Sequence, residues 1–254
     1  MLFASCSEYP KILKNKDMKQ KLEWAEKLYK KGDYVRAQPL YEQLAINYRL
    51  TSLSEDLQYY NAYCFYGMKD YEMSTYLFKR FCNDFSNSKR AEECNYMFCL
   101  TEFKSSLPIY LDQTDTKKCM DDITEFIGAY PDSKYIPYCN ELADQLRQKL
   151  EQKAFNAAYL FYKTEEFKAA AISFANLIKD FPETSHKEDA EFYIMKSHYL
   201  YAKNSTDIKK SERFMQATKS YDEFHYDFKD AHVKEANSIN EDALKQIEKY
   251  KVVK

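Results

Sequence analysis

The side chains that most often carry catalysis are few in this chain of 254 residues, which contains four histidines and three glycines. No histidine belongs to an HExxH pair, which would hold zinc on one helical face, and the sequence has no glycine-rich phosphate loop. His232 and Glu235 share a helical face, but such pairs usually lie in solvent. We therefore predict a protein that is not an enzyme and that uses no cofactor and no metal.

Tyrosine is the side chain with the most binding chemistry to offer, because the chain contains 24 of them. Each ring has a large apolar face and a hydroxyl that donates and accepts hydrogen bonds. Clustered rings suit an extended apolar and aromatic segment, with hydroxyls available for its backbone groups. The alternative is that the rings fill gaps between helices, and the sequence leaves both interpretations open.

One spaced pattern predicts the elements that position these rings. Ala37, Tyr41, Leu44 and Tyr48 form a template of one small residue followed by bulky ones at steps of four, three and four. Steps of three and four place side chains on one face of a helix, and the small residue lets another helix approach closely. Each copy therefore predicts the second helix of a helical hairpin. The template recurs as Ser74, Phe78, Phe81 and Phe85; as Cys119, Ile123, Phe126 and Tyr130; as Ala170, Phe174, Leu177 and Phe181; and as Ala217, Tyr221, Phe224 and Phe228.

Turns and further amphipathic segments precede three of the template helices. The turns place an aromatic residue three positions ahead of the small one, at Tyr34, Tyr71 and Phe167. A small residue lies nine positions before each aromatic, where a first helix would contact the second: Ala25, Ala62 and Ala158. This pattern resembles the tetratricopeptide repeat. We predict an all-α fold, a superhelical array of about five tetratricopeptide-like helical hairpins plus a terminal helix.

Particular residues mark the boundaries within the array. Ser105 to Gln113 is interrupted by proline and predicts an irregular insertion in the third hairpin. Ser185 with Glu188 predicts a capping box at the start of the next helix. Asn204 to Lys210 predicts a polar loop, and Ala231 to Tyr250 a terminal helix that caps the array.

The amino terminus carries a separate signal. Small residues precede Cys6, as at the end of a bacterial lipoprotein signal, where that cysteine becomes acylated. Five residues are too few for a basic and an apolar region, so we expect the start to be truncated or misassigned. The alternative is an ordinary cytosolic amino terminus. We assign residues 1–16 to a signal remnant and tether, 17–130 to repeats one to three, and 131–254 to repeats four and five with the capping helix.

Charge, apolar runs and cysteine content exclude some partners and predict the state of the cysteines. A net charge of −2 with interspersed acids and bases argues against a nucleic-acid partner. No apolar run approaches the roughly 20 residues that cross a bilayer. The six cysteines after Cys6 permit disulfides in an exported chain. Because Cys119 occupies a small template position, we expect most of them to be buried hydrophobic residues instead.

Four motifs occur in a specific order along the chain. They are Cys6 to Tyr9 ahead of the hairpins, Leu111 to Thr114 after the insertion, and the helix ends Tyr130 to Tyr135 and Phe181 to Thr184. Together they resemble the BamD family over essentially the whole chain. The resemblance implies a non-catalytic scaffold of the outer-membrane β-barrel assembly machine, lipid-anchored through Cys6 at the periplasmic face of the outer membrane. It also implies two partners, a BamA-like barrel-forming subunit and unfolded outer-membrane proteins.

Repeat geometry and the resemblance assign candidate residues to these two partners. In a tetratricopeptide array, positions one and four after the small residue of a first helix, and three before it, face the groove. This rule predicts a substrate groove that includes Tyr29, Tyr59, Tyr63 and Tyr66. For docking of the barrel-forming subunit, the resemblance points to the carboxy-terminal repeats and to the surface around Tyr193, Lys196, Tyr199 and Arg213.

Two other classes of function stay open. One is a different periplasmic tetratricopeptide adaptor, serving cell division or envelope maintenance, which would usually lack both the amino-terminal cysteine and the insertion. The other is a carbohydrate-capturing outer-membrane lipoprotein built on similar repeats, although such chains are typically longer and carry large ligand-binding insertions.

Overall fold

A computed structural model describes residues 5–49, 51–228 and 232–251, which form twelve α-helices and no strand. The predicted all-α fold is confirmed, with five successive hairpins (α2/α3 to α10/α11) and a terminal helix. The helices are α1 Ser5–Lys14, α2 Met18–Lys30, α3 Tyr34–Asn47, α4 Ser54–Gly67, α5 Tyr71–Asp84, α6 Ala91–Ser105, α7 Thr114–Ala129, α8 Ile136–Lys163, α9 Phe167–Asp180, α10 Lys187–Lys203, α11 Asp207–Asp227 and α12 Val233–Lys251.

The template positions are buried as the spacing predicts. The small first residue of all five copies is buried, and so is the bulky third residue. The fourth, aromatic residue is the C-cap of its helix in every copy, and its N–H donates to the carbonyl of the third residue at 2.8 to 3.0 Å. The last aromatic of the template therefore marks where each second helix ends.

Three of the five hairpin turns have a left-handed residue two positions before the second helix. It is Gly32 in the first hairpin, with φ of +74°, and Lys69 and Glu165 in the second and fourth, each with φ of +63°. Asp33 and Asp70 follow and accept hydrogen bonds from backbone N–H groups of the next helical turn. These caps satisfy donors that a helix amino terminus leaves unpaired.

The segment that was expected to be a tether contains helix α1. The Tyr9 hydroxyl donates to the Arg36 carbonyl at 3.0 Å, and Ile12 is buried in the core of the first hairpin. Buried Lys21 of α2 donates through Nζ to the Leu13 carbonyl at 3.3 Å. These contacts hold the helix on the first hairpin. The side chain of Cys6 lies outside the described residues.

The insertion between α6 and α7 is organised by one buried side chain. The Nε2 atom of Gln113 lies 2.9 to 3.4 Å from the carbonyl oxygens of four residues, and its Oε1 accepts from the Thr116 hydroxyl at 2.8 Å. The tip of the insertion is apolar and exposed, with Tyr110 at 78%. Irregular backbone is thus held in one conformation without a helix or strand. The four carbonyls are those of Leu107, Pro108, Leu111 and Asp112.

The predicted capping box at Ser185 is wrong. Helix α10 begins at Lys187, with His186 as N-cap and no side-chain capping bond. The buried Thr184 hydroxyl donates to Glu151 at 3.0 Å and accepts the His186 N–H at 3.3 Å. Thr184 is held by this carboxylate and closes the turn before α10, so no side chain takes the capping role that the sequence pattern assigned to Ser185.

The predicted polar loop before α11 is also too long. The helix begins at Asp207 rather than Ser211, so only Asn204 to Thr206 separate it from α10. An aspartate in the first turn is favourable beside the positive end of the helix dipole. The Lys210 ammonium pairs with Asp207 at 2.8 Å, and the four residues from Asp207 to Lys210 that were assigned to the loop form the first turn instead.

The chain forms two compact units, one ending at Leu146 and the other beginning at Arg147. This boundary falls inside α8, whereas the sequence analysis divided the chain at residues 130 and 131, before that helix. Pro131 does end a helical segment, but α8 then runs without a break for 28 residues and contributes to the core of each unit.

The cysteines are free thiols at six positions, five of them buried, as expected for small hydrophobic residues. Burial raises the pKa of the Cys139 thiol to about 11, which keeps it protonated at neutral pH. None of the described helices has the length and apolar content needed to cross a membrane.

Candidate functional site

Six tyrosine rings of the first unit form a continuous series, which we call the aromatic ladder. Neighbouring ring centroids are 4.7 to 6.4 Å apart, mostly in edge-to-face or tilted arrangements. This geometry is favourable for aromatic pairs. The ladder contains the four tyrosines predicted to line the groove and two that the prediction missed. In order, its rings are Tyr29, Tyr60, Tyr59, Tyr63, Tyr66 and Tyr71.

Helix α4 positions most of the ladder. Tyr59, Tyr63 and Tyr66 follow one another at helical spacing and are half-buried. Their inner edges pack on fully buried Phe78 and Phe81 of α5, with ring centroids 5.0 Å apart for Tyr63 and Phe78. The rings therefore fill space between helices, as one of the two interpretations predicts, and they keep an exposed edge. Binding of an extended segment by that edge stays a prediction.

The hydroxyls of Tyr59 and Tyr63 have an internal partner. Both donate to Oε1 of Glu93 on α6, at 2.8 Å for Tyr59. Desolvation, reinforced by these hydrogen bonds, raises the pKa of each tyrosine well above its ordinary value. The two hydroxyls are thus not available as donors to a ligand carbonyl, and these two tyrosines offer mainly their ring faces and edges. Sequence reasoning missed Glu93 because the contact joins successive repeats.

A cation lies against the middle of the ladder. The Arg90 guanidinium lies 4.4 Å from the centroid of the Tyr59 ring and pairs with the Asp56 carboxylate. Such cation–π contacts hold a ring in place and add positive charge beside it. Together with Glu93, this arginine gives the apolar ladder a charged rim of both signs.

Three of the four predicted docking residues lie along α10 in the second unit, and each has an internal contact. Tyr193 packs among other rings, with centroids 4.9 Å from Tyr162 and 5.2 Å from Tyr159. Lys196 and Tyr199 bind the terminal helix α12 instead. The Lys196 ammonium lies 2.7 Å from Glu235, and the Tyr199 hydroxyl donates to Asp242 at 2.7 Å. Desolvation, with that hydrogen bond, raises the pKa of Tyr199 to about 12.

Arg213, the fourth predicted docking residue, belongs to a different set of contacts. Its guanidinium stacks 4.0 Å from the Tyr201 ring centroid and donates to the Ser205 hydroxyl. The predicted docking surface therefore consists of an α10 face that secures α12 and a separate arginine on α11. Across the described residues, no cluster of three or more histidines, cysteines or acids has a metal-binding arrangement.

An α-helical array of tetratricopeptide-like hairpins with an aromatic surface defines the class of helical-repeat proteins. Within that class, the chain belongs to the YfiO family of outer membrane lipoproteins, whose family model matches residues 14–238. This is the BamD-like family that the motifs resemble. Its members are in general non-enzymatic scaffolds, and membership supports a general role in outer-membrane assembly.

Comparisons with individual proteins add no evidence about function. No curated protein matches the sequence. Among solved structures, the chain is similar to the crystal structure of the P58(IPK) TPR domain, with 12% identity and a TM-score of 0.43. The similarity covers 92% of this chain and 66% of that one.

Proposed function

We propose that this chain is a non-catalytic scaffold lipoprotein of the outer-membrane β-barrel protein assembly machine. It docks a BamA-like barrel-forming subunit and receives unfolded outer-membrane proteins, while a lipid on Cys6 holds it at the periplasmic face of the outer membrane. The observation that carries the proposal is the family match, which extends over residues 14–238.

The aromatic ladder is the proposed surface for unfolded substrates. Its rings present a row of half-buried apolar edges, which suits the apolar and aromatic side chains that alternate with polar ones along a barrel strand. Arg90 and Glu93 flank the rings and supply charge of either sign at the rim. Tyr59 and Tyr63 contribute through their rings, because Glu93 accepts the hydrogen bonds of their hydroxyls. Tyr29 and Tyr66 extend the row of rings on either side.

The α10 face is the proposed docking surface for the barrel-forming subunit. Tyr193, Lys196 and Tyr199 present their outer edges there, and Arg213 supplies a second contact from α11. Since Lys196 and Tyr199 also secure α12, docking on this face would be sensitive to the position of the terminal helix.

Affinity purification from the native membrane tests the proposal directly. We expect the full-length protein to recover a barrel-assembly subunit of the BamA type. Recovery only of peptidoglycan-bound or cell-division proteins would instead identify a different envelope adaptor.

Binding of a labelled peptide from the last strand of a barrel protein tests the ladder. Tyr66→Ala is the suitable variant, because changes at Tyr59 or Tyr63 would remove a hydrogen bond from Glu93. Loss of one aromatic contact should weaken binding about two- to tenfold. Tyr110→Ala, at an exposed ring outside the ladder, is the control. Equal affinities in the two variants, with the helical signal intact, would exclude the ladder as the substrate site.

Binding of the purified periplasmic part of the barrel-forming subunit tests the docking face. Lys196→Glu should weaken binding, because it reverses charge on α10 and repels Glu235. Lys219→Glu on α11 is the matched control, since this lysine is mostly exposed and pairs only within its own helix. A loss of binding in the control as large as in Lys196→Glu would rule out a specific contribution from α10.

A further inference from the structure

A second surface of the first unit lies between helices α3 and α5, with α4 as its floor. This α3/α5 groove encloses about 440 Å³ and is lined by residues of those three helices. On α4 its floor is formed by Gln58, Asn61 and Phe65. Positions 59, 63 and 66 of the aromatic ladder point more than a quarter turn away on the same helix. The groove and the ladder are therefore separate surfaces.

The walls of the groove carry exposed apolar side chains. Ile46 of α3 is 74% exposed, and Met73 and Tyr76 of α5 are 41% and 58% exposed. Single exposed hydrophobic residues are ordinary, but a group that lines a cavity with a polar rim is typical of an interaction site. A partner that covered these three side chains would remove apolar surface from water on both walls.

The charges in the groove favour an acidic partner. Arg49 and Arg80 line it, with Glu42 as the one acidic residue, in a chain whose net charge is −2. Arg80 also pairs with Asp84 at 3.4 Å, but both side chains are more than two-fifths exposed, so that pair is weak. An incoming carboxylate would thus meet an excess of positive charge.

The two arginines lie toward the same end of the groove. Short connections join α3 to α4 and α4 to α5, so α4 runs antiparallel to both of its neighbours. Arg49 follows the end of α3 and Arg80 lies in the second half of α5, beside Gln58 near the start of α4. The opposite end is bordered by Phe65 and Met73. The groove is therefore basic at one end and uncharged at the other, with apolar side chains along both walls.

The polar floor of the groove is satisfied internally. Nε2 of Gln38 donates to Glu42 at 3.0 Å and to Oδ1 of buried Asn61 at 3.4 Å. Excluding water from a polar group is costly only when that group is left without a hydrogen bond. These amides already bond to each other, so a partner that covers this pair leaves neither of them without a hydrogen bond.

We propose that the α3/α5 groove docks an amphipathic helix of a partner protein, with apolar residues over Ile46, Met73 and Tyr76 and with Asp or Glu at the end beside Arg49 and Arg80. Residues 38 to 47 of α3 span roughly 14 Å at helical rise, and Arg49 extends this wall beyond the helix end, which suits about three turns of a docked helix. Two parallel helices with a third beneath them form the type of groove in which helical peptides bind. The proposal does not depend on substrate binding by the ladder.

Synthetic peptides provide the test, with the full-length protein and fluorescence anisotropy as the readout. The probes are helical peptides of about 14 residues with Leu at positions i, i+3, i+4 and i+7, carrying two Glu at one end or the other. Their counterparts carry two Lys at the same positions. We expect the better Glu peptide to bind at least tenfold more tightly than its Lys counterpart, with a preference that weakens as salt increases.

Charge reversal identifies the site. Arg49→Glu with Arg80→Glu should abolish or invert the preference for Glu peptides, and Tyr76→Ser should weaken binding of both kinds. Lys19→Glu with Lys89→Glu is the matched control, at two exposed lysines outside the groove, and should change nothing. Groove variants should leave substrate-peptide binding by the ladder unchanged, which separates failure of this proposal from failure of the proposed function.

Three results would overturn the proposal. The first is equal affinity for Glu and Lys peptides. The second is a preference that persists when Arg49 and Arg80 are reversed. The third is a dimer in sedimentation experiments that dissociates in Ile46→Asp, because the groove would then be occupied by a second copy of this chain.

Discussion

Lys69 and Glu165 adopt the left-handed conformation that Gly32 adopts at the equivalent turn of the first hairpin. For residues with a Cβ this conformation costs about 1 to 2 kcal/mol, whereas glycine enters it without a steric penalty. The repeats thus differ in backbone strain at one position, although their template residues are equivalent.

Replacing these two residues by glycine should stabilise the protein. Lys69→Gly and Glu165→Gly are each expected to raise the free energy of unfolding by about 0.5 to 1 kcal/mol, after the entropy cost of glycine is included. Gly32→Ala should lower it by about 1 kcal/mol. Urea titrations followed by circular dichroism measure these changes.

Lys31→Gly is the control, because Lys31 has a φ of −85° and gains nothing from glycine. If Lys69→Gly lowered the free energy of unfolding as much as Lys31→Gly, the left-handed conformation of Lys69 would not be a source of strain.

The aromatic ladder predicts a loss of stability at alkaline pH. The folded state raises the pKa of Tyr63 above its ordinary value, first by desolvation and then by its hydrogen bond to Glu93. The unfolded chain ionises near pH 10, so this contribution is complete below pH 10 and is lost progressively above it. Unfolding by urea at pH 8 and pH 11 should show a smaller alkaline loss in Tyr63→Phe than in the parent protein.

The phenylalanine variant should also be about 1 kcal/mol less stable at pH 8, because it lacks one hydrogen bond to Glu93. Equal alkaline losses in the two proteins would mean that Tyr63 ionises as readily in the folded state as in the unfolded one.

At the residue scale, the sequence could predict which tyrosines share a helix face but not which groups they meet. Tyr59, Tyr63 and Tyr66 follow from spacing within one helix. Glu93 lies on the next repeat, about 30 positions away, and nothing in a single-helix period connects it to them. The groove residues Ile46 and Met73 were missed for the same reason, since they become neighbours only when two second helices flank the same first helix.

At the scale of the elements, the small position of the template sets how closely helices pack. Ala170 is fully buried at that position of α9, whereas Ala175 on the same helix is exposed. Ala170→Leu should lower the free energy of unfolding by about 1 to 3 kcal/mol, because the added methylenes have no space. Thermal unfolding followed by circular dichroism measures it.

Ala175→Leu adds the same atoms to the same helix at a surface position and should change stability by less than about 0.5 kcal/mol. Two equal effects would indicate helix propensity rather than packing as the cause.

The helices that carry the template could be predicted from the sequence, whereas helix α1 and the start of α10 could not. Every second helix was found because its buried face repeats at steps of three and four. Helix α1 lacks that repeat and is held by Tyr9, Ile12 and the Lys21 contact from α2, so it was taken for a tether. The start of α10 was misplaced because buried Glu151 selects Thr184, and that selection depends on packing between repeats.

At the scale of the whole molecule, the chain consists of two compact units whose boundary falls inside α8. Repeat arrays derive stability from each repeat and its nearest neighbours, so local damage need not spread along the chain. Composition and periodicity predicted the array and divided it at residues 130 and 131. They gave no reason to place a boundary farther on, because α8 reads as one continuous helix.

Hydrogen exchange should show this local character. Phe174→Ala removes a fully buried ring from the second unit and should cost about 3 to 5 kcal/mol there. We expect faster amide exchange in α9 and α10 and unchanged exchange in α2 to α4, measured by mass spectrometry. A uniform increase along the chain would show that both units unfold as one cooperative structure.

The Gln113 contacts make the insertion suitable for engineering. One carboxamide holds the carbonyls of the loop, while the tip residue Tyr110 projects into solvent. A dye or a short epitope attached at Tyr110 would therefore sit on a loop of fixed conformation. The orientation of the label would report the orientation of the α6/α7 hairpin. Such a label would be a reference point on this repeat, placed without altering the ladder or the α3/α5 groove.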